Sequence, residues 1–213
     1  MDYTRARERM VRDQIEARGV REPRVLAAMR EVPREQFVPT ALLPWACEDQ
    51  PLSIGRGQTI SQPYMVALMT ELLGAGPDST VLEIGAGCGY QSSVLSRLVK
   101  HVCAIERDEV LAEETSKRLV GMGCGNVELI HGDGFLGWPG LQPRFERILV
   151  ACAAEELPTA LLDQLAPGGR LVIPVGPPDT KQDLTLVDRD QAGVLHTQVI
   201  LPVRFVPMVH GSV

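Results

Sequence analysis

The chain has no C-x-x-C pair. Its five cysteines, Cys47, Cys88, Cys103, Cys124 and Cys152, are odd in number and scattered. That excludes zinc-site or redox-dithiol spacing and leaves reduced, mostly buried thiols; no metal site is expected. No apolar run approaches the roughly 20 residues needed to cross a bilayer. The first dozen residues carry Arg5, Arg7, Arg9 and Arg12 among acids without an apolar stretch, unlike a secretory signal. These absences predict a cytoplasmic protein with no membrane partner. An excess of basic charge is missing too. The formal net charge is −6, whereas nucleic-acid-binding domains usually carry a basic stripe, so no nucleic-acid partner is expected. The N-terminal arginines are nearly matched by Asp2, Glu8, Asp13, Glu16 and Glu22 and read as a solvated helix face. There is no internal repeat and no low-complexity segment.

What is present is ordinary globular material. A length of 213 residues, with 45% hydrophobic and 23% charged, suits one domain with a filled core. The expected domain spans 1–213, with a helical extension over 1–77, a cofactor-binding core over 78–176 and C-terminal strands over 177–213. Met10, Val11, Gln14 and Ile15 sit at helical spacing before Gly19. Pro23 opens a second helix with Val25, Leu26 and Met29 on one face, and Pro63 opens a third that stops at Gly74. Trp45 to Gly57 reads as a loop. After Asp78 strands alternate with helices: Thr80–Ile84, then helix Gln91–Val99; His101–Ile105, then helix Glu109–Leu119; Val127–Ile130; Phe145–Ala151, then helix Pro158–Leu165, closed by Pro167-Gly168-Gly169. This rhythm predicts an α/β fold with a mostly parallel sheet and right-handed crossovers. Three further runs, Leu171–Val175, Leu184–Asp188 and Val194–Leu201, follow, the last two as an antiparallel pair around Asp190–Gly193.

The strongest local signal is VLEIGAGCGY, Val81 to Tyr90. A buried strand runs into Gly85, Gly87 and Gly89 and then a helix, the arrangement that lets backbone turn and approach a ligand. Nicotinamide enzymes use G-x-G-x-x-G, but Tyr90 stands at that third position and Gly89 gives G-x-G-x-G instead, which favours S-adenosylmethionine. Glu83 beside the loop is a candidate partner for the ammonium of its amino acid moiety. The bland alternative is a loop that merely joins strand to helix. Glu106, about 20 residues past the glycines, ends the second strand where a carboxylate can accept both ribose hydroxyls. Asp133 and Gly134 follow the third strand, where an acid can accept from the adenine amino group and a small residue admits the ring. Three such residues at the ends of successive strands share one edge of the sheet.

Upstream lies IGRGQTISQPYMVALMTELL, Ile54 to Leu73. This segment resembles the signature of the protein-L-isoaspartate O-methyltransferases. VLAAMREVPREQFVP, VLEIGAGCGYQSSVL, NVELIHGDGFLGW, QLAPGGRLVIPVG and VRFVP also resemble family segments in family order, together covering most of Val25 to Pro207. The resemblance implies a Rossmann-like S-adenosylmethionine-dependent methyltransferase fold, a twisted sheet with helices on both faces. It implies methyl transfer to the free carboxylate of L-isoaspartyl residues in damaged proteins and peptides, opening repair through a succinimide, with S-adenosylhomocysteine as product. Ser61 matches the family's active-site serine; an N-cap ahead of Pro63 is its alternative role. Gln58, Thr59 and Ile60 flank it as cofactor contacts, and Ile60, Ser61, Phe205 and Val206 are expected around the peptide substrate. The chain departs from the family pattern at Cys47, where an aromatic residue is common, and at Ala151, where threonine is. A monomer is expected, able to admit many partly unfolded chains.

Three rival readings remain at this level. The closest is a methyltransferase on the same fold acting on a small molecule or nucleic acid; the nucleic-acid case is disfavoured by the acidic balance and by VACAAEELP where N/D-P-P-Y/F would stand. A nicotinamide oxidoreductase is disfavoured by Gly89 and the lack of a Tyr-x-x-x-Lys pair. A non-catalytic module would not need Glu83, Glu106, Asp133 and Ser61 together.

Overall fold

The computed structural model describes residues 2–140, 145–178 and 180–211; residues 1 and 213, the outer bounds of the expected domain, lie outside them. The chain begins with α1 (Tyr3–Arg9), capped by Asp2, and runs on through a π-helical turn at Met10–Ile15. Helix α2 (Pro23–Glu31) opens on proline at its first position, with Glu22 capping, and buries Val25, Leu26 and Met29. Two 3₁₀ turns, Arg34–Phe37 and Thr40–Trp45, lead into β1 (Leu52–Gly55) and β2 (Gln58–Ile60). These pair antiparallel, Leu52 opposite Ile60, so part of the segment expected as loop is a hairpin. Four residues ending in glycine are too few to display a period of two. Helix α3 (Pro63–Leu73) ends at left-handed Gly74.

The alternating part follows as β3 (Thr80–Ile84), α4 (Tyr90–Ser96), β4 (His101–Glu106), α5 (Glu109–Gly121), β5 (Val127–His131), β6 (Phe145–Val150), α6 (Thr159–Gln164), β7 (Leu165–Val175), β8 (Gln182–Arg189) and β9 (Leu195–Val203). The sheet order is β5-β4-β3-β6-β7-β8-β9. The first five strands are parallel, and β8 and β9 join antiparallel. Alternation sends Val81 to a core shared with Met29, Met69 and Leu95 on one face, while Leu82 and Ile84 pack with Ile148, Leu161 and Leu171 on the other. Both faces are thereby covered, as a parallel sheet requires.

Two expectations are corrected. Helix α4 ends at Ser96 rather than Val99. The Pro167-Gly168-Gly169 triplet lies inside β7 instead of closing a helix. Phe145 pairs with Leu165 but Arg147 pairs with Arg170, so the triplet is taken up in a bulge, where Pro and Gly are tolerated.

From β3 the chain steps outward to β4 and β5, then returns to lay β6 on the other side of β3. The connections leaving β3 and β6 therefore diverge, and a crevice opens at their carboxyl ends.

Candidate cofactor and acceptor site

The crevice is built on the loop after β3. The N–H groups of Gly85 and Ala86 both donate to the Ile105 carbonyl, at 2.9 and 3.1 Å, folding the loop back on β4. Gly85 and Gly87 have φ of 83° and 55°, values that strain a side-chain-bearing residue. Glu106, at the end of β4, is only 4% exposed. Its Oε2 accepts from the Gly87 N–H at 2.8 Å and its Oε1 from the Asp108 N–H at 3.0 Å. Each oxygen thus has one fixed partner and lone-pair capacity for a second donor. Glu106, Gly85, Gly87 and Gly134 line a cleft of about 560 Å³, with Gln58 and Thr59 from the hairpin and Val206 from the tail.

A smaller hollow of about 320 Å³ adjoins it, sharing Thr59, Gly85, Gly87 and Ala151 and adding Ile60, Ser61, Cys88 and Tyr90. Ser61 joins β2 to α3. The N-cap of α3 is Gln62 and makes no side-chain capping bond, so the alternative role for Ser61 is not the one it takes. Its carbonyl accepts from Arg34 Nη2 at 2.7 Å. The hairpin bearing it is fastened at its tip by Arg56, whose Nε donates to Asp108 Oδ2 at 2.5 Å.

The far wall comes from the end of the chain. The Ala153 N–H donates to the Val206 carbonyl at 2.8 Å and the Met208 N–H to the Ala153 carbonyl at 2.7 Å, so the segment after β9 runs along the exit of β6. Asp133 is engaged twice: Oδ1 accepts from the Phe135 N–H at 2.9 Å and Oδ2 from the Gly211 N–H at 2.8 Å. Above it the His210 ring stacks on Phe135 with centroids 3.8 Å apart. A Cβ on Gly134 would collide with Ile84 Cγ2, so only glycine lets the chain pass that close to β3.

The cleft and hollow bring together Gln58, Thr59, Ile60, Ser61, Gly85, Gly87, Glu106, Gly134 and Val206. Four other candidates stand back from these lining residues. Glu83 lies on the same face of β3 as Val81, beneath α4, and is fully buried. Neither carboxylate oxygen has a hydrogen-bond partner among the described residues. Burial pushes its carboxyl up to about 8, opposed by neighbouring Ser92 and reinforced by the charge of Glu106. Gly89 serves packing, because a Cβ there would lie 2.8 Å from Thr115 Cγ2. Asp133, like Glu106, has one backbone donor on each carboxylate oxygen. Phe205 packs half-buried against the main core, its N–H on Gln182 Oε1 at 2.9 Å.

One residue escaped sequence reasoning. Arg34 has 0% exposure and touches both Ser61 and Tyr90. The available signal was an arginine among Val32, Pro33 and Phe37, weakened by Glu35 and Gln36 between them.

The geometry is matched by relatives. Residues 5–213 match the family model described as Protein-L-isoaspartate(D-aspartate) O-methyltransferase (PCMT). The chain is 49% identical over 218 residues to Protein-L-isoaspartate O-methyltransferase 2 of Syntrophobacter fumaroxidans, covering 98% of this chain and 88% of the relative. It is 50% identical over 201 residues to the Protein-L-isoaspartate O-methyltransferase of Aeromonas hydrophila, covering 94% and 96%. A solved protein-L-isoaspartate O-methyltransferase superposes with a TM-score of 0.85 at 28% identity, over 97% of this chain and 67% of that one. On the family match over residues 5–213 and these identities, this chain belongs to the protein-L-isoaspartate(D-aspartate) O-methyltransferase family.

Proposed function

We propose that this protein methylates the free carboxylate of L-isoaspartyl residues in damaged proteins and peptides, with Ser61 holding the acceptor. The observation that carries the reading is the juxtaposition of Ser61 with the glycine loop in one hollow, next to a cleft ending on Glu106.

S-Adenosylmethionine, when bound, supplies a methyl group on a positively charged sulfur. The chain's residues fit it. Glu106 offers two oriented oxygens to a pair of vicinal hydroxyls, and Gly85 and Gly87 let backbone approach without a Cβ between. Gln58, Thr59 and Ile60 cover the loop, and Gly134 lines the same cleft as Gly85 and Glu106. Burial pushes the Glu83 carboxyl up to about 8, which works against a direct ion pair with an ammonium.

The acceptor needs no general base. A carboxylate with a pKa of about 4 is already ionised at neutral pH. What remains is alignment, with reacting atoms held at roughly 3 Å. The Ser61 hydroxyl donates to one carboxylate oxygen and leaves the other directed at the loop. Ile60 and Val206 form the apolar border of the peptide site, and Phe205, next in the chain to Val206, packs half-buried against the core. The ester formed is then attacked by the following amide nitrogen, methanol departs and a succinimide results. His131, whose Nε2 lies 3.0 Å from the Arg107 carbonyl, has no proton to move in this scheme.

We read the chain as one catalytic domain, working as a monomer in the cytoplasm. Among the described residues no helix is long and apolar enough to cross a membrane. The test is transfer of labelled methyl from S-adenosylmethionine to an isoaspartyl peptide, with its aspartyl twin as control. Label should appear on the isoaspartyl peptide alone and leave as methanol in mild alkali. Alkali-stable label, as an N-methyl group gives, would sink the reading.

A further inference from the structure

Arg34 presents a problem of energetics. It is fully buried, and among the described residues it forms no ion pair. The neighbouring Glu35 is paired with Arg7 instead, at 2.6 Å. A buried charge without a counter-charge carries a desolvation penalty, and an apolar residue of similar volume would fill the space without it. Satisfying two carbonyls does not require a cation either. The charge is retained where its shape matters.

That shape is a planar fork with fixed donors. Nε donates to the Ala46 carbonyl at 2.8 Å and Nη2 to the Ser61 carbonyl at 2.7 Å. The guanidinium carbon stands 4.8 Å from the centre of the Tyr90 ring, the first residue of α4 after the glycine loop. Nη1 is buried with no partner among the described residues, so the side chain stays in a geometry in which they do not satisfy all its donors. The fork therefore spans the two ends of the hairpin segment, residues 46 and 61, and rests on the element that carries the glycine loop. Beyond Ser61, Gln62 makes no capping bond to α3, and its Nε2 donates instead to the Asp49 carbonyl at 3.1 Å.

We propose that Arg34 is a positioning residue for methyl transfer: by fixing the Ser61 carbonyl against Tyr90 it sets the distance between the Ser61 hydroxyl and the glycine loop. The inference rests on the reading of Ser61 as the acceptor's donor. A lysine ammonium cannot hold both carbonyls in one plane, so charge alone does not substitute.

The test uses the full chain with Arg34→Lys, Arg34→Met and Arg34→Ala. An error of about 1 Å in alignment costs about 100-fold in rate, so kcat on an isoaspartyl peptide should fall roughly 100-fold in Arg34→Met and about 10-fold in Arg34→Lys. Affinity for S-adenosylhomocysteine should stay within about fivefold, because Glu106 and its backbone donors sit on the sheet. Amide hydrogen exchange should quicken over residues 58–61 and stay unchanged in β3 and β4. Guanidinium ion added at millimolar concentration should restore part of the rate to Arg34→Ala. Wild-type kcat in Arg34→Met with unchanged exchange at 58–61 overturns the proposal. So does a loss of rate matched by equal loss of cofactor affinity with no guanidinium rescue, which marks a purely structural residue. Should Arg34→Met and Arg34→Ala fail to fold, the exchange and kcat of Arg34→Lys decide alone. Failure of the wild-type enzyme to methylate the peptide would remove the functional reading, while the exchange pattern would still decide whether Arg34 holds the Ser61 segment.

Discussion

Arg56, at the tip of the β1–β2 hairpin, is bonded to Asp108, which also caps α5 by accepting from the Leu111 N–H at 3.0 Å. One carboxylate thus holds both a helix end and the cover of the cleft. Burial raises the Asp108 carboxyl, but the Arg56 bond, the Leu111 amide and the Arg56 charge outweigh it and bring it below its usual value. A depressed carboxyl contributes stability above its ordinary value near 3.8 and loses it as pH falls through the lowered one. Arg56→Ala should raise KM for both substrates with little change in melting temperature. The Arg56–Asp108 coupling in a double-mutant cycle should be about 0.5–1 kcal/mol, Arg56 being half exposed.

Glu106→Ala should weaken S-adenosylhomocysteine binding by about 1.5–3 kcal/mol, the scale of hydrogen bonds to a charged group. The Gly87 and Asp108 N–H groups lose their acceptor at the same time. Calorimetry reads the loss directly, and an unchanged affinity would take Glu106 out of the site.

Ser61→Ala should lower kcat by about one to two decades, the value of a charge-assisted hydrogen bond realised in the transition state. Because Gln62 and not Ser61 holds the N-cap position, the melting temperature should not move. A variant that melts earlier yet turns over at the wild-type rate would show a structural serine only.

Glu83 gives a pH signature of the opposite sign to Asp108. Its carboxyl, pushed up to about 8 from 4.5 in the folded chain, makes the native state hold a proton that the unfolded chain releases. Its stabilising effect is complete below 4.5 and is lost as pH rises toward about 8. The slope from this one group is about −1.4 kcal/mol per pH unit within that window. Glu83→Gln should flatten the dependence of unfolding free energy on pH between those values. Parallel wild-type and Glu83→Gln curves would show that the carboxylate ionises without cost.

Most of the frame was legible in the sequence because buried parallel strands and glycine turns announce themselves locally. Thr80–Ile84 runs into Gly85 and Gly87, and Glu106 closes the next strand, each recognisable within a few residues. Other features depend on what arrives from elsewhere. The hairpin strand at Leu52–Gly55 is too short for a period, and Pro167-Gly168-Gly169 reads as a helix stop until β6 supplies the bulge that absorbs it. Asp133 looks free in sequence, but Gly211, 78 residues away, donates to it. Glu83 looks like a ligand until the pleat turns it under α4. Arg34 was invisible for the same reason: its partners, Ala46 and Ser61, are joined to it only by folding.

The two walls of the cleft come from far apart in the chain, Gln58 and Thr59 on one side and Val206 to Val209 on the other. During synthesis on the ribosome, the strands β3 to β7 emerge before the segment that completes the enclosure. A chain lacking residues 206–209 lacks one wall of the cleft, so enclosure depends on that segment lying along Ala153, which bonds Val206 and Met208.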